Sequence, residues 1–211
     1  MHLLDTAQLL LFLTATLALN LAPGPDVLYV LANSARHGVR GAVFAALGIS
    51  GGIVFHTCIA AFGIAALLLA HRWAFDGLRI AGALYLIWLG ISAWRSAVAV
   101  ALPGATDASL STIFRKGLIT NVLNPKVALF FMAFLPQFAD PAHGSVTMQV
   151  LIFGALFIVS GTIVNLLYAW AGGALSAVLR RDMRWQRRLN RISGGILVVL
   201  GGRLLLSPRL S

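Results

Sequence analysis

Two short stretches decide the fold that this sequence predicts, Asn20-Leu-Ala-Pro-Gly-Pro-Asp26 and Asn121-Val-Leu-Asn-Pro-Lys126. Each lies inside a long apolar run and brings asparagine, proline and a charged residue together. Proline lacks a backbone N–H and clashes with the preceding helical turn, so each stretch predicts a break in a helix. Backbone groups freed at membrane depth are tolerated only where protein or a water-filled cavity satisfies them. The two breaks therefore predict an internal polar site.

The composition makes lipid the solvent for most of the chain. Hydrophobic residues make up 59% of it and charged residues only 10%, whereas soluble domains carry about 25% charged residues. We predict an all-α integral membrane protein with a single membrane domain, residues 1–211. No Lys or Arg precedes the first apolar run, so we expect no cleavable signal peptide. Six transmembrane helices are predicted, at about 7–34, 40–70, 73–94, 113–138, 147–178 and 190–207.

The net charge of +10 is distributed as in a membrane protein, and we therefore expect no nucleic-acid partner. Eleven of the sixteen Lys and Arg residues lie in the three connections that share one side of six spans: Arg36, Arg40, Arg95, Arg115, Lys116 and six arginines from Arg180 to Arg191. The positive-inside rule places these connections in the cytoplasm and both termini in the periplasm. The Arg180–Arg191 cluster is expected to contact lipid headgroups.

The two halves of the chain resemble each other. The motif pairs occur in the same order at offsets of about 100 to 112 residues: 20–25 with 121–125, 44–54 with 153–164, and 79–90 with 191–201. This predicts two three-helix repeats, at about 5–95 and 113–207, with helices 1 and 4 broken. Because three is odd, the second copy must be inserted upside down. Such inverted repeats are common in secondary transporters, whose sites lie near the midplane at the repeat interface.

The candidate substrate-binding residues all lie in or beside the breaks. They are Asn20, Pro23, Gly24, Pro25, Asp26, Asn121, Asn124, Pro125 and Lys126. A half-helix N-terminus near either proline attracts a carboxylate, and carbonyls at the opposing helix end suit an ammonium group. A zwitterionic amino acid needs this mixture.

Three polar residues that lie inside predicted spans have more than one interpretation. Asp26 and Lys126 are predicted either to pair with each other or to make separate charged contacts, because a charge at mid-membrane requires a partner. Asp26 is also explained as a first-turn acid stabilised by the helix dipole. His56 is a candidate proton relay, or it hydrogen-bonds a neighbouring helix.

The sequence offers little for other chemistries. With one cysteine, Cys58, no disulfide within the chain and no CxxC zinc site is possible. No nucleophile and base stand together, so we expect neither an enzyme nor a cofactor or metal.

Three segments resemble the LysE/RhtB family of amino-acid exporters: NLAPGPDVLYVLANSARHGVRGA (20–42), GALYLIWLGISAWR (82–95) and GLITNVLNPKVALFFMAFLPQF (117–138). The pattern is closest to the RhtB branch. The resemblance implies efflux of homoserine, threonine, their lactones or other neutral amino acids across the bacterial inner membrane, driven by the proton motive force. Several family members carry an acid in span two, where this chain has Gly52. Its absence argues against Lys or Arg as substrate, and it leaves Asp26 and His56 as candidate proton carriers.

Two alternatives remain open at this point. An exporter of another small solute or a divalent cation would need ligands, and the membrane interior offers only Asp26, His56 and Cys58. A non-transporting membrane scaffold would not need two broken helices. The sequence does not fix the substrate, the coupling ion or whether the chain forms a homo-oligomer.

Overall fold

The computed structural model describes residues 6–22, 24–70, 72–95, 108–139, 143–181 and 183–206. Every regular element in these ranges is helical. The helices are α1 (Thr6–Leu21), α2 (Pro25–Ala70), α3 (Arg72–Arg95), α4 (Leu110–Val122), α5 (Pro125–Leu129), α6 (Val146–Arg181) and α7 (Met183–Leu206).

The first break lies where the sequence predicts it. Helix α1 ends at Leu21 and α2 begins at Pro25, which needs no N–H at a helix start. Pro23 lies outside the described residues. Within α2 the backbone is not helical at Gly38, with φ 64° and ψ −167°, a conformation that glycine adopts without strain. Gly38 falls between the first two predicted spans, so α2 contains the second half of span one and all of span two.

The second break is equally local. Helix α4 ends at Val122 and α5 begins at Pro125, and the axes on either side are bent by 48°. Beyond α5 the chain continues as a π-helical turn, Phe130–Phe134, and a 3-10 turn, Leu135–Phe138. The half-helix after the break therefore changes its winding twice within the predicted fourth span.

Length and composition identify two helices able to cross a membrane in the described part of the chain, Pro25–Gly63 and Val146–Gly172. The bent pair Leu110–Val122 and Pro125–Phe138 is a third if it counts as one span. Leu9–Leu21 and Ile80–Arg95 are shorter apolar helices. The chain is thus an all-helical membrane protein, and the six-span count stays a prediction.

One expected connection has a different structure. Helix α6 extends to Arg181 and α7 starts at Met183, so the described residues of the Arg180–Arg191 segment belong to helix ends rather than to an irregular loop. Arginine, which makes up six of the twelve residues of this segment, is a good helix former and favours the continuation of the two helices beyond their apolar parts.

Helix α2 packs mainly against α4 and α6, and α3 packs against α7. Glycines bring the second pair close together: a methyl group at Gly90 would lie 2.5 Å from the carbonyl oxygen of Gly194, and one at Gly201 would lie 2.7 Å from that of Ala83. The contacts run in opposite residue order, so α3 and α7 are antiparallel. Small residues allow such close backbone approach between membrane helices.

A cluster of aromatic side chains fills the core beside the breaks. Phe12 of α1 contacts Phe130, Phe138 and Phe153, and Phe157 of α6 contacts Phe130 and Phe131. The outer surface is also apolar. Large hydrophobic side chains are exposed on it, among them Phe62, Trp88, Trp170, Val199 and Leu206, as suits a surface that faces lipid.

Candidate functional site

The carboxylate of Asp26 joins the first break to the second. Asn121 Nδ2 donates to Asp26 Oδ2 at 3.0 Å, and Asn124 Nδ2 donates to the same oxygen at 2.9 Å. Asp26 stands in the first turn of α2, Asn121 in the last turn of α4, and Asn124 between α4 and α5. All three side chains are buried. The acid of one break is thus held by the amides of the other.

Lys126 of the second break bonds to the first break. Its Nζ donates to the carbonyl oxygens of Leu19 at 3.0 Å and Ala22 at 3.1 Å, where α1 ends. These carbonyls carry the partial negative charge of a helix C-terminus. Gly24 leaves room for the ammonium group, since a methyl group there would lie 3.0 Å from Nζ. The sequence left two arrangements open for Asp26 and Lys126, an ion pair or separate charged contacts, and the structure has separate contacts. Each residue lies at the start of one half-helix and bonds to residues at the other break.

Asn124 has a second role at the start of α5. Its Oδ1 accepts a hydrogen bond from the backbone N–H of Lys126 at 3.0 Å, which is an N-cap interaction. One side chain therefore fixes the direction of α5 and, through its amide nitrogen, the position of Asp26.

His56 of α2 lies beside the second break. Its Nε2 is 3.0 Å from the backbone oxygen of Asn121, and the side chain is buried. This is the hydrogen bond to a neighbouring helix that the sequence left open. Proton relay by His56 stays a prediction.

Asn20 near the end of α1 and Asn121 near the end of α4 each lie against a glycine of a long helix. A methyl group at Gly161 of α6 would lie 3.3 Å from Asn20 Oδ1, and one at Gly52 of α2 would lie 2.6 Å from Asn121 Cβ. Asn20 Nδ2 also donates to Ser160 Oγ at 3.4 Å. Because Gly52 has no side chain, Asn121 can pack closely against α2. The sequence did not reveal this role of Gly52.

A small cavity lies between the breaks. Its lining residues are Leu19, Asn20, Asp26, Val27, Ile49, Ile53, Lys126, Val127, Phe157 and Asn165. Its volume of about 10 Å³ holds about one water molecule. The structure thus brings Asn20, Asp26 and Lys126 together at a cavity, with Asn121 and Asn124 behind Asp26. Gly24 adjoins Lys126, whereas Pro25 and Pro125 are exposed and act by setting the backbone.

The apolar wall of this cavity was not predicted from sequence. Ile49, Ile53 and Phe157 belong to the middles of α2 and α6, where apolar residues predominate on every side of the helix and do not mark one face. Asn165 could have been found from the sequence as a candidate cavity residue, because it is polar and lies next to the position that corresponds to His56 in the other repeat.

Three buried side-chain oxygens in the described part of the chain lack a hydrogen-bond partner: Thr16 Oγ1, Asp26 Oδ1 and Asn121 Oδ1. Two of them belong to the hydrogen-bonded Asp26–Asn121 pair. In the same described ranges, no group of three or more His, Cys, Asp or Glu residues is arranged to hold a metal ion.

An all-helical protein with an apolar exterior, whose two broken helices meet at buried charges, has the features of a polytopic membrane transporter. The family profile of LysE type translocators matches residues 17–208. The chain therefore belongs to the LysE type translocator family, and it is a transporter rather than an enzyme.

Individual relatives agree with this assignment. The chain is 35% identical over 198 residues to the homoserine/homoserine lactone efflux protein of Salmonella typhimurium, covering 93% of this chain and 94% of that protein. It is 31% identical to an uncharacterized membrane protein of Vibrio cholerae, over 94% of this chain and 96% of that one. It is 30% identical to the leucine efflux protein of an Enterobacter species, over 85% and 84% of the two chains. No solved structure gives a significant match.

Proposed function

We propose that this protein exports small neutral amino acids or their derivatives, homoserine- or threonine-like, across the bacterial inner membrane under the proton motive force. The observation that carries the proposal is the crossed set of contacts between the breaks, in which Asp26 bonds to Asn121 and Asn124, and Lys126 bonds to the end of α1. Buried charges inside a membrane protein mark substrate or ion pathways.

The proposed architecture is six transmembrane helices in two inverted repeats, with both termini periplasmic. The contacts between α3 and α7 support it. In the repeat alignment Gly82 and Ala83 correspond to Gly194 and Gly195, and Gly90 corresponds to Gly201. The contacts are Gly90 with Gly194 and Gly201 with Ala83, so the two contacts are equivalent to within one residue. A two-fold axis crossing the antiparallel pair generates this reciprocal pattern. The positive residues described above support the orientation.

The substrate site in this proposal is formed by the half-helix ends and by the amides of Asn20, Asn121 and Asn124. Lys126 adds a positive charge: its ammonium group has three N–H donors, and two of them are used by Leu19 and Ala22. The third is available to a substrate carboxylate. A cavity for about one water molecule is too small for an amino acid, so the structure represents a closed state and loading requires the breaks to separate.

The charges around the cavity favour a neutral substrate. Lys126 lines it, and a second cation on the substrate side chain would be repelled. Gly52 supplies no counter-ion, and Asn121 occupies the space beside it. We therefore expect neutral amino acids to be preferred to lysine and arginine. Asp26 and His56 remain our candidates for proton coupling.

Counterflow in proteoliposomes tests this function. Vesicles loaded with unlabelled homoserine, threonine, leucine, lysine or arginine are diluted into the same labelled compound, and its transient accumulation is measured. We expect accumulation with homoserine or threonine, and much less with lysine or arginine. Robust lysine counterflow that neither homoserine nor threonine inhibits would contradict the proposal.

A further inference from the structure

The buried oxygens Asp26 Oδ1 and Asn121 Oδ1 lack partners and belong to side chains already bonded to each other. We propose that these two oxygens bind the ammonium group of the transported amino acid. This inference rests on the proposed function and names the subsite for one end of the substrate. It places the ammonium group at side-chain oxygens, whereas the sequence alone pointed to the carbonyls at the helix ends.

The hydrogen bonds at Asp26 are strongly one-sided. Both amide donors, from Asn121 and Asn124, bond to Oδ2, and no described group bonds to Oδ1. Asn121 likewise uses its nitrogen on Asp26 and leaves its own oxygen unbonded. Asp26 is 8% exposed and Asn121 is fully buried, so solvent does not satisfy these oxygens in the closed state. Buried polar atoms without partners are few in proteins, and each calls for an explanation.

The two free oxygens match an ammonium group in number and in charge. Both are acceptors, and an ammonium group brings N–H donors and a positive charge to meet the carboxylate. The alternative acceptors for it, the carbonyls of Leu19 and Ala22, are already bonded to Lys126. Asp26 also lines the cavity between the breaks, which gives its free oxygen a route to the substrate.

The charges around Asp26 orient the substrate. Lys126 lies on the same cavity and approaches from α5, while His56 approaches from α2 and is bonded to the Asn121 backbone. With its ammonium group at Asp26, an amino acid directs its carboxylate toward Lys126. The side chain then faces the apolar wall of Ile49, Ile53 and Phe157, which suits a small neutral side chain.

The test uses three related compounds that separate the two ends of the substrate. Homoserine has both charged groups, homoserine lactone keeps the ammonium group without a free carboxylate, and 4-hydroxybutyrate keeps the carboxylate without the amine. Exchange is measured in proteoliposomes with no ion gradient, as inhibition of labelled homoserine counterflow by each compound. The proteins are the wild type, Asp26→Asn, and Asn121→Leu as a second variant of similar size. Asp76→Asn on α3 is the matched control for loss of one acid.

We expect Asp26→Asn to raise the half-saturating concentrations of homoserine and of its lactone in parallel, by about tenfold or more, with 4-hydroxybutyrate little affected. Asn121→Leu should shift the same two compounds, and Asp76→Asn none. Unchanged gradient-free exchange in Asp26→Asn, together with lost gradient-driven efflux, would overturn the inference by making Asp26 a proton carrier only. A shift for homoserine but not for its lactone would also overturn it. A wild type that exchanges no amino acid would instead remove the proposed function and this inference with it.

Discussion

Gly52→Ala is expected to weaken substrate exchange by about five- to 150-fold, although it adds only one methyl group. That methyl group would lie 2.6 Å from Asn121 Cβ, an atom fixed to the backbone of α4. Since the side chain of Asn121 cannot swing away at Cβ, helix α4 must shift and carry its amide off Asp26. Overpacking costs about 1–3 kcal/mol, which corresponds to the stated range at 1.4 kcal/mol per tenfold change. The measurement is counterflow of labelled homoserine at matched protein content.

The adjacent glycine provides a matched control. A methyl group at Gly51 would lie 3.4 Å from Leu118 Cδ1, an ordinary contact. Gly51→Ala should therefore exchange homoserine nearly as the wild type does. Equal losses in the two variants would show that α2 tolerates no substitution in this region, and would end the specific role assigned to Gly52.

Lys126→Met is expected to abolish transport and to destabilise the closed structure by about 3–5 kcal/mol, the typical cost of removing one partner of a buried charged contact. The change leaves the carbonyls of Leu19 and Ala22 without their donor. It also leaves Asp26 as a buried negative charge beside a cavity that has lost its cation. Methionine has a similar length and enters a membrane helix readily, so insertion should be unaffected. Thermal denaturation in detergent measures the stability, and homoserine counterflow measures the transport.

Lys116→Met is the control of identical chemistry, because Lys116 is exposed on α4. We expect it to leave both the unfolding temperature and the counterflow close to wild type. If Lys126→Met were as stable and as active as Lys116→Met, the contacts between Lys126 and the end of α1 would contribute neither to stability nor to transport.

The positions of the breaks could be predicted from sequence because they depend on local chemistry. Proline and glycine act within one helical turn, and so the ends of α1 and α4 and the starts of α2 and α5 fall where the two motifs stand. Gly38, where the backbone of α2 is not helical, lies in the gap between two predicted spans, although the sequence did not single out this glycine. The sequence also allowed four site residues to be predicted, because they are polar residues in apolar surroundings: Asp26, Asn121, Asn124 and Lys126.

The pairing of those residues was not available, because it depends on how two halves about 100 residues apart pack together. Nothing in the sequence shows that Lys126 bonds to the end of α1 instead of to Asp26. Nor does it show that Gly52 makes space for Asn121. The cavity wall at Ile49 and Phe157 was hidden for a different reason: in helices that are apolar on all sides, hydrophobic periodicity no longer marks the inner face.

The central claim is that the two helix breaks together form the substrate site, and equilibrium binding of labelled homoserine to purified protein tests it most directly. Asn121→Ala removes one donor from Asp26, and Asn124→Ala removes the other donor together with the cap of α5. Leaving a buried partner unsatisfied costs about 1–3 kcal/mol, so each variant should bind about five- to 150-fold more weakly. Arg184→Ala, in the arginine-rich first turn of α7, should bind as the wild type does. Wild-type affinity in both asparagine variants at normal expression, with binding lost in Arg184→Ala, would contradict the claim and place the site away from the breaks.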